Sequence, residues 1–163
     1  MNDLCPVCRK GHLQPATYMR TFAPDGVAIS VELHTSRCDQ CGETTTNAAQ
    51  HKGNLRALAE RKSSYGDVLM GEEILALRKR YGISQQQAAK TFGIDVEAFA
   101  CFEREENYPT KMIKILITSA IENPRTMKSL ADKAGIELPL WQKHHINYNP
   151  GYTKLGTPSH LLI

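Results

Sequence analysis

No stretch of this 163-residue sequence is apolar for long enough to cross a bilayer. Its opening MNDLCPVCRK also lacks the apolar core of a secretory signal. The expectation is a cytoplasmic chain with no membrane partner, in a compartment where thiols stay reduced. Neither a glycine-rich phosphate loop nor a nucleophile–base constellation is present, so no enzymatic activity is expected. A strong excess of positive charge is missing too. The formal net charge of +3 divides into +2 over residues 1–66, −1 over 67–121 and +2 over 122–163. The basic footprint that nucleic-acid-binding domains carry is therefore absent. Internal repeats and low-complexity segments are lacking, and 41% hydrophobic with 23% charged residues is an ordinary globular balance.

What is present begins with cysteine. Four of the five cysteines fall in two close pairs, CPVC at Cys5 and Cys8 and CDQC at Cys38 and Cys41. Two residues between thiolates let one turn present both sulfurs to a tetrahedral ion, and two such turns close a Cys₄ shell. One structural Zn²⁺ per chain is expected there, which lowers the formal net charge to about +1 once four thiolates offset the ion. A thioredoxin-like centre would need a βαβ surrounding that is not seen, and a deaminase would need a His-x-Glu that none of the six histidines supplies. Between the pairs, Val27, Ile29, Val31 and Leu33 alternate with Ala28, Ser30, Glu32 and His34, the period of a half-buried strand. Asp25-Gly26 marks a hairpin turn, and Pro15 confines the preceding strand to an edge. A helix is expected from Asn47 to about Lys62 with Ala48, Leu55, Leu58 and Ala59 as its apolar stripe, and SSYGD at 63–67 reads as a hinge or short linker.

From Gly71 onward the pattern is helical. Glu72 and Glu73 open one helix, Arg78, Lys79 and Arg80 close it, and Gly82 caps it. Ser84 and Gln87 form a capping box for a second helix that Gly93 ends, and Asp95 caps a third. Two more helices follow, over 111–121 and from Asn123-Pro124. The tight turn between the second and third makes a helix-turn-helix. The expected fold is α+β in two small modules. A zinc-ribbon-like β-hairpin module with a helix occupies 1–66, and an all-α, five-helix, Cro-like helix-turn-helix domain occupies 67–134. An irregular C-terminal tail occupies 135–163.

The combination of CPVC, CDQCGE, LRKRYGISQQQAAKTFGI, VEAFACFE and NPRTMKSL resembles the MqsA (YgiT-type) antitoxin family over roughly residues 3–130. The resemblance implies that Cys5, Cys8, Cys38 and Cys41 hold a structural zinc and that the zinc module engages a cognate ribonuclease toxin. It also implies that the helical domain dimerises and binds double-stranded operator DNA. DNA contacts would come from Gln85, Gln86, Lys90, Glu97, Cys101 and Lys111. At the two base-reading positions, Glu97 stands where the family has Asn and Cys101 where it has Arg. A homodimer contact is expected from Met112, Ile115, Ile117 and Ile121, because that helix is apolar over more than one packing face. The competing reading is a protein-interaction adaptor that keeps the helix-turn-helix as a scaffold and has lost DNA, since fold does not fix function.

Overall fold

The computed structural model describes residues 3–141; residues 142–163 of the expected tail lie outside the described residues. The chain divides into two compact units between Asp67 and Val68.

The first unit is built on a long hairpin. β1 (Leu13–Phe22) and β2 (Ile29–Cys38) pair antiparallel along their whole length, from Leu13↔Cys38 to Phe22↔Ile29. Asp25 and Gly26 turn the chain with φ of 52° and 78°, the positive-φ pair that a tight hairpin turn of this kind demands. Val27, placed inside the strand by its alternation, lies in this turn and is 64% exposed. A two-residue strand, β3 (Thr44–Thr45), joins the other side of β2 through Ser36↔Thr45 and Arg37↔Thr44. It is too short to carry a period. β1 is left as an edge strand, which is why Pro15 is tolerated in it.

α1 (Ala48–Glu60) starts from a reciprocal cap between Asn47 and Gln50. The apolar stripe expected for it does not form its packing face. Leu55 is 55% exposed and Ala48 and Ala59 face water, while Asn54 and Arg61, at the start of the following 3₁₀ turn Arg61–Ser64, are buried. This helix meets the sheet through hydrogen bonds. Asn54 Oδ1 accepts from His34 N–H at 2.8 Å, Asn54 Nδ2 donates to the His34 carbonyl at 2.8 Å, and Gln50 Nε2 donates to the Thr35 carbonyl at 2.9 Å. These amides satisfy an edge of β2 that β3 is too short to cover.

The hinge or short linker expected at 63–67 ends where the two units divide, but it is packed rather than free. Tyr65 is buried, and its hydroxyl accepts from Arg61 Nε at 3.0 Å. The Arg61 guanidinium lies 4.1 Å from the centroid of Phe22, whose other near cation is Arg20 at 4.8 Å. With Val31 and Leu33 these residues are most of the unit's apolar interior. A core this small needs a further source of stability, such as a metal ion.

Among the described residues, the second unit holds α2 (Gly71–Tyr81), α3 (Gln85–Phe92), α4 (Val96–Arg104), α5 (Lys111–Glu122) and α6 (Pro124–Ala134). The caps fall where the sequence puts them. Ser84 Oγ accepts from Gln87 N–H, Asp95 from Glu97 N–H, and Asn123 from Arg125 N–H. Gly93, at φ 69°, closes α3 in the left-handed conformation and permits the tight turn into α4. Ile74, Leu77, Tyr81, Phe99, Ile117 and Met127 fill the core, and Phe92 stacks on Phe99 at 6.4 Å. The start of the expected tail packs on this core. Leu138 is buried in this core and Trp141 stacks on Tyr81 with centroids 6.2 Å apart.

Candidate metal centre and recognition helix

The two cysteine turns are built alike. Arg9 N–H donates to the Cys5 carbonyl at 2.9 Å, and Gly42 N–H donates to the Cys38 carbonyl at 3.1 Å. Arg9 and Gly42, each following the second cysteine of its pair, both have positive φ, 58° and 73°. Cys5 N–H reaches the Gly11 carbonyl and Cys38 N–H the Glu43 carbonyl, so each turn is clamped onto its strand. The two turns are tied together by Asp39, which accepts from His12 N–H through Oδ1 at 2.8 Å and donates its own N–H to the His12 carbonyl at 3.1 Å.

This frame brings all four sulfurs within 4.8 Å of one another. Cys5 Sγ is 3.8 Å from Cys41 Sγ, and Cys8 Sγ is 3.7 Å from Cys38 Sγ. A tetrahedral ion with metal–sulfur bonds of about 2.3 Å has sulfur–sulfur edges of about 3.8 Å. Backbone amides point at the sulfurs: Gly11 N–H at Cys8 Sγ, and Gln40 and Cys41 N–H at Cys38 Sγ. Such donors favour thiolate over thiol. The Cys8 thiol is lowered to about 6, first by the amide hydrogen bond from Gly11 and then by that from Lys10. Cys41 is pushed up to about 12; a backbone hydrogen bond at Glu43 pulls the other way, but burial and its three thiol neighbours outweigh it. Four thiolates this close repel one another unless a cation sits between them, so the donor set fits a metal ion. Gly11 has no freedom to be anything larger, because a Cβ there would sit 2.4 Å from Cys38 Sγ.

In the helical unit, Glu103 anchors the helix-turn-helix from inside. Its side chain is 6% exposed and accepts from Arg78 Nε at 2.6 Å and from Gln85 Nε2 at 2.7 Å. The outward end of α4 is occupied by a charged clasp. Arg104 donates to both oxygens of Glu106, Nε to Oε1 at 2.8 Å and Nη2 to Oε2 at 2.9 Å, and Nη2 also reaches Glu97 Oε1 at 3.3 Å. Hydrogen bonding to Glu106 raises the Arg104 pKa, and the same bond lowers that of Glu106. Cys101 sits within this clasp, 3.7 Å from Glu97 Oε1 and 3.6 Å from Glu106 Oε2. Burial, and then the Glu106 hydrogen bond, raise its thiol pKa.

A tetrathiol cluster ahead of a Ser-Gln-initiated helix-turn-helix is one architecture, and residues 3–128 match the family described as the antitoxin component of bacterial toxin-antitoxin systems, MqsA. The chain belongs to the MqsA antitoxin family. The antitoxin MqsA of Escherichia coli (strain K12) is 25% identical to it over 118 residues, covering 69% of this chain and 90% of the relative.

Against that MqsA frame, the sequence-predicted site residues sort themselves. Cys5, Cys8, Cys38 and Cys41 converge as expected. Gln86, Lys90 and Lys111 are exposed around the helix-turn-helix, whereas Gln85 and Arg78 have donors committed to Glu103. Glu97 points outward with its side chain 75% exposed and braced by Arg104, and Cys101 is half-buried beneath. Of the expected dimer residues, Met112 and Ile115 are 76% and 51% exposed, and Ile121 is half-buried. Ile117 is fully buried in the core and is no surface contact. It lies five positions beyond Met112, well over a full turn on, which puts it on the helix's inner side. Sequence reasoning missed Gly11, Asp39 and Asn54. Only Gly11 carries a local signal, being a glycine just after a cysteine turn.

Proposed function

We propose that this chain is a cytoplasmic antitoxin whose metal module binds a toxin and whose helical unit dimerises and contacts operator DNA. The observation that carries this reading is the tetrathiol cluster with tetrahedral edges on a chain of the MqsA family. Four sulfur donors at that spacing favour Zn²⁺. Cys5, Cys8, Cys38 and Cys41 supply every coordination position, so the ion's role is structural: it holds the hairpin and both cysteine turns in the shape a partner recognises. The exposed Met112 and Ile115 on α5 support a second copy as the partner of the helical unit.

The test is co-expression with the product of the adjacent reading frame. Co-purification of a stable complex, and rescue of growth from that product, are the expected results. A neighbour that is neither toxic nor bound overturns the reading.

One observation favours a second reading for the helical unit. The Arg104 clasp holds one carboxylate on α4, Glu97, and another just past its end, Glu106, and occupies the helix's cation, which suits an adaptor that has lost DNA. Titrating the chain with its own promoter DNA at physiological salt separates the two. Nanomolar, sequence-selective binding supports the regulator, and no binding beyond weak, unselective, salt-sensitive association supports the adaptor.

A further inference from the structure

Arg37 stands on β2 between Gln14 of β1 and Thr44 of β3, on the sheet face that also presents Tyr18. It borders two depressions. One, of about 440 Å³, is walled by Tyr18, Thr17, Thr35, Thr44 and Thr46; the other, of about 480 Å³, runs past Gln14 to the second cysteine turn. The guanidinium passes over that turn, since a Cβ on Gly42 would lie 3.7 Å from its Nη2 and 4.0 Å from its Nε. Among the described residues the Arg37 side chain makes no hydrogen bond and no ion pair. Among the described residues the one acid lining the depressions, Asp39, has Oδ1 committed to the His12 amide. Thr35 has likewise spent its hydroxyl proton on the Thr45 carbonyl. An arginine fork with all its donors available, set among hydroxyls and a phenol, is built to receive a planar acceptor.

We propose that this groove is the docking site for a carboxylate side chain of the partner toxin, which Arg37 receives in a bidentate pair. The proposal rests on the toxin-binding reading above and names its contact. Charge complementarity selects the ligand. In the first depression, one cation among neutral hydroxyls matches a single carboxylate, for which the guanidinium fork has the right spacing. A nucleic-acid backbone would call for several cations along a track, and among the described residues no other cation lines either depression. The position over the second cysteine turn also links the groove to the metal, because that turn holds the guanidinium's neighbour Gly42 in place.

The experiment uses the full metal-loaded chain and the adjacent reading frame's product, purified as a catalytically inactive variant, in calorimetric titrations. Arg37→Glu should weaken binding by about a hundredfold and Arg37→Gln by about tenfold, the range for losing hydrogen bonds to a charged group. Arg37→Lys should recover part of that loss. Lys52→Glu, a charge change of the same sign on α1 outside the groove, should bind as the wild type does. Metal content and hairpin amide chemical shifts check that each variant is folded. Replacing toxin carboxylates with lysine, one at a time, against Arg37→Glu should find one position that restores affinity. Unchanged toxin affinity in folded Arg37→Glu overturns the groove assignment and leaves the toxin reading standing. A wild-type chain that does not bind the product overturns both. If Arg37→Glu instead loses binding to a single-stranded RNA oligonucleotide while holding the toxin, the groove belongs to nucleic acid and the proposal falls.

Discussion

Asn54 pairs with both backbone polar groups of His34, its carboxamide standing in for the next strand of the sheet. The two bonds are 2.8 Å each, and Asn54 is 8% exposed. Removing the carboxamide orphans an amide and a carbonyl together. Asn54→Ala should destabilise the first unit by about 1–3 kcal/mol, the cost of leaving such groups unsatisfied. Asn54→Asp should also be harmful, because a carboxylate accepts from His34 N–H but cannot donate to its carbonyl. Denaturant unfolding followed by hydrogen exchange at His34 would check this; an unprotected His34 amide in the wild type would count against the pairing.

Metal removal should act on one unit alone. With chelator, the hairpin unit should lose its dispersed amide signals, while residues 71–134 keep theirs. Cys38→Ser should reproduce this without chelator. Elemental analysis should find one zinc per chain, and metal-free protein from a chelator-free purification would refute the assignment.

Gly11→Ala tests the geometry rather than the ligands. All four thiols remain, yet the added methyl would meet Cys38 Sγ and Asp39 Oδ1 at 2.4 and 2.7 Å. Zinc affinity, measured by competition with a chromophoric chelator, should fall by at least tenfold, in the range seen when groups that orient metal ligands are lost.

In the helical unit, Arg78→Ala should be worse than the paired change Arg78→Leu with Glu103→Leu. The single change leaves a carboxylate whose side chain is 6% exposed without its cation, held by Gln85 alone, and should cost about 3–5 kcal/mol, whereas the double removes both charges. Thermal melts of all three proteins give the comparison.

Replacing Glu97 with Asn and Cys101 with Arg should raise DNA affinity and steepen its dependence on salt, because a carboxylate leaves the α4 surface and a cation joins it. Salt titrations with promoter DNA read the slope directly. If Glu97→Ala instead abolishes tight selective binding, the glutamate is reading a cytosine amino group.

The sequence by itself determined every element whose signal is local. The paired cysteines, the helix caps at Ser84, Asp95 and Asn123, and the stop at Gly93 each depend on residues within one turn of each other, so spacing alone exposes them. Tertiary structure decided whatever depends on residues brought together from afar. Helical periodicity assigned α1 an apolar stripe through Leu55, yet the face that packs is the one bearing Asn54 and Arg61. The reason is that β2 offered unpaired backbone groups, and an amide satisfies those where a methyl cannot. In the same way, helical spacing sets Met112 and Ile117 on different sides of α5, but both are apolar, and only the packing of the other helices decided that the side of Ile117 is the one buried.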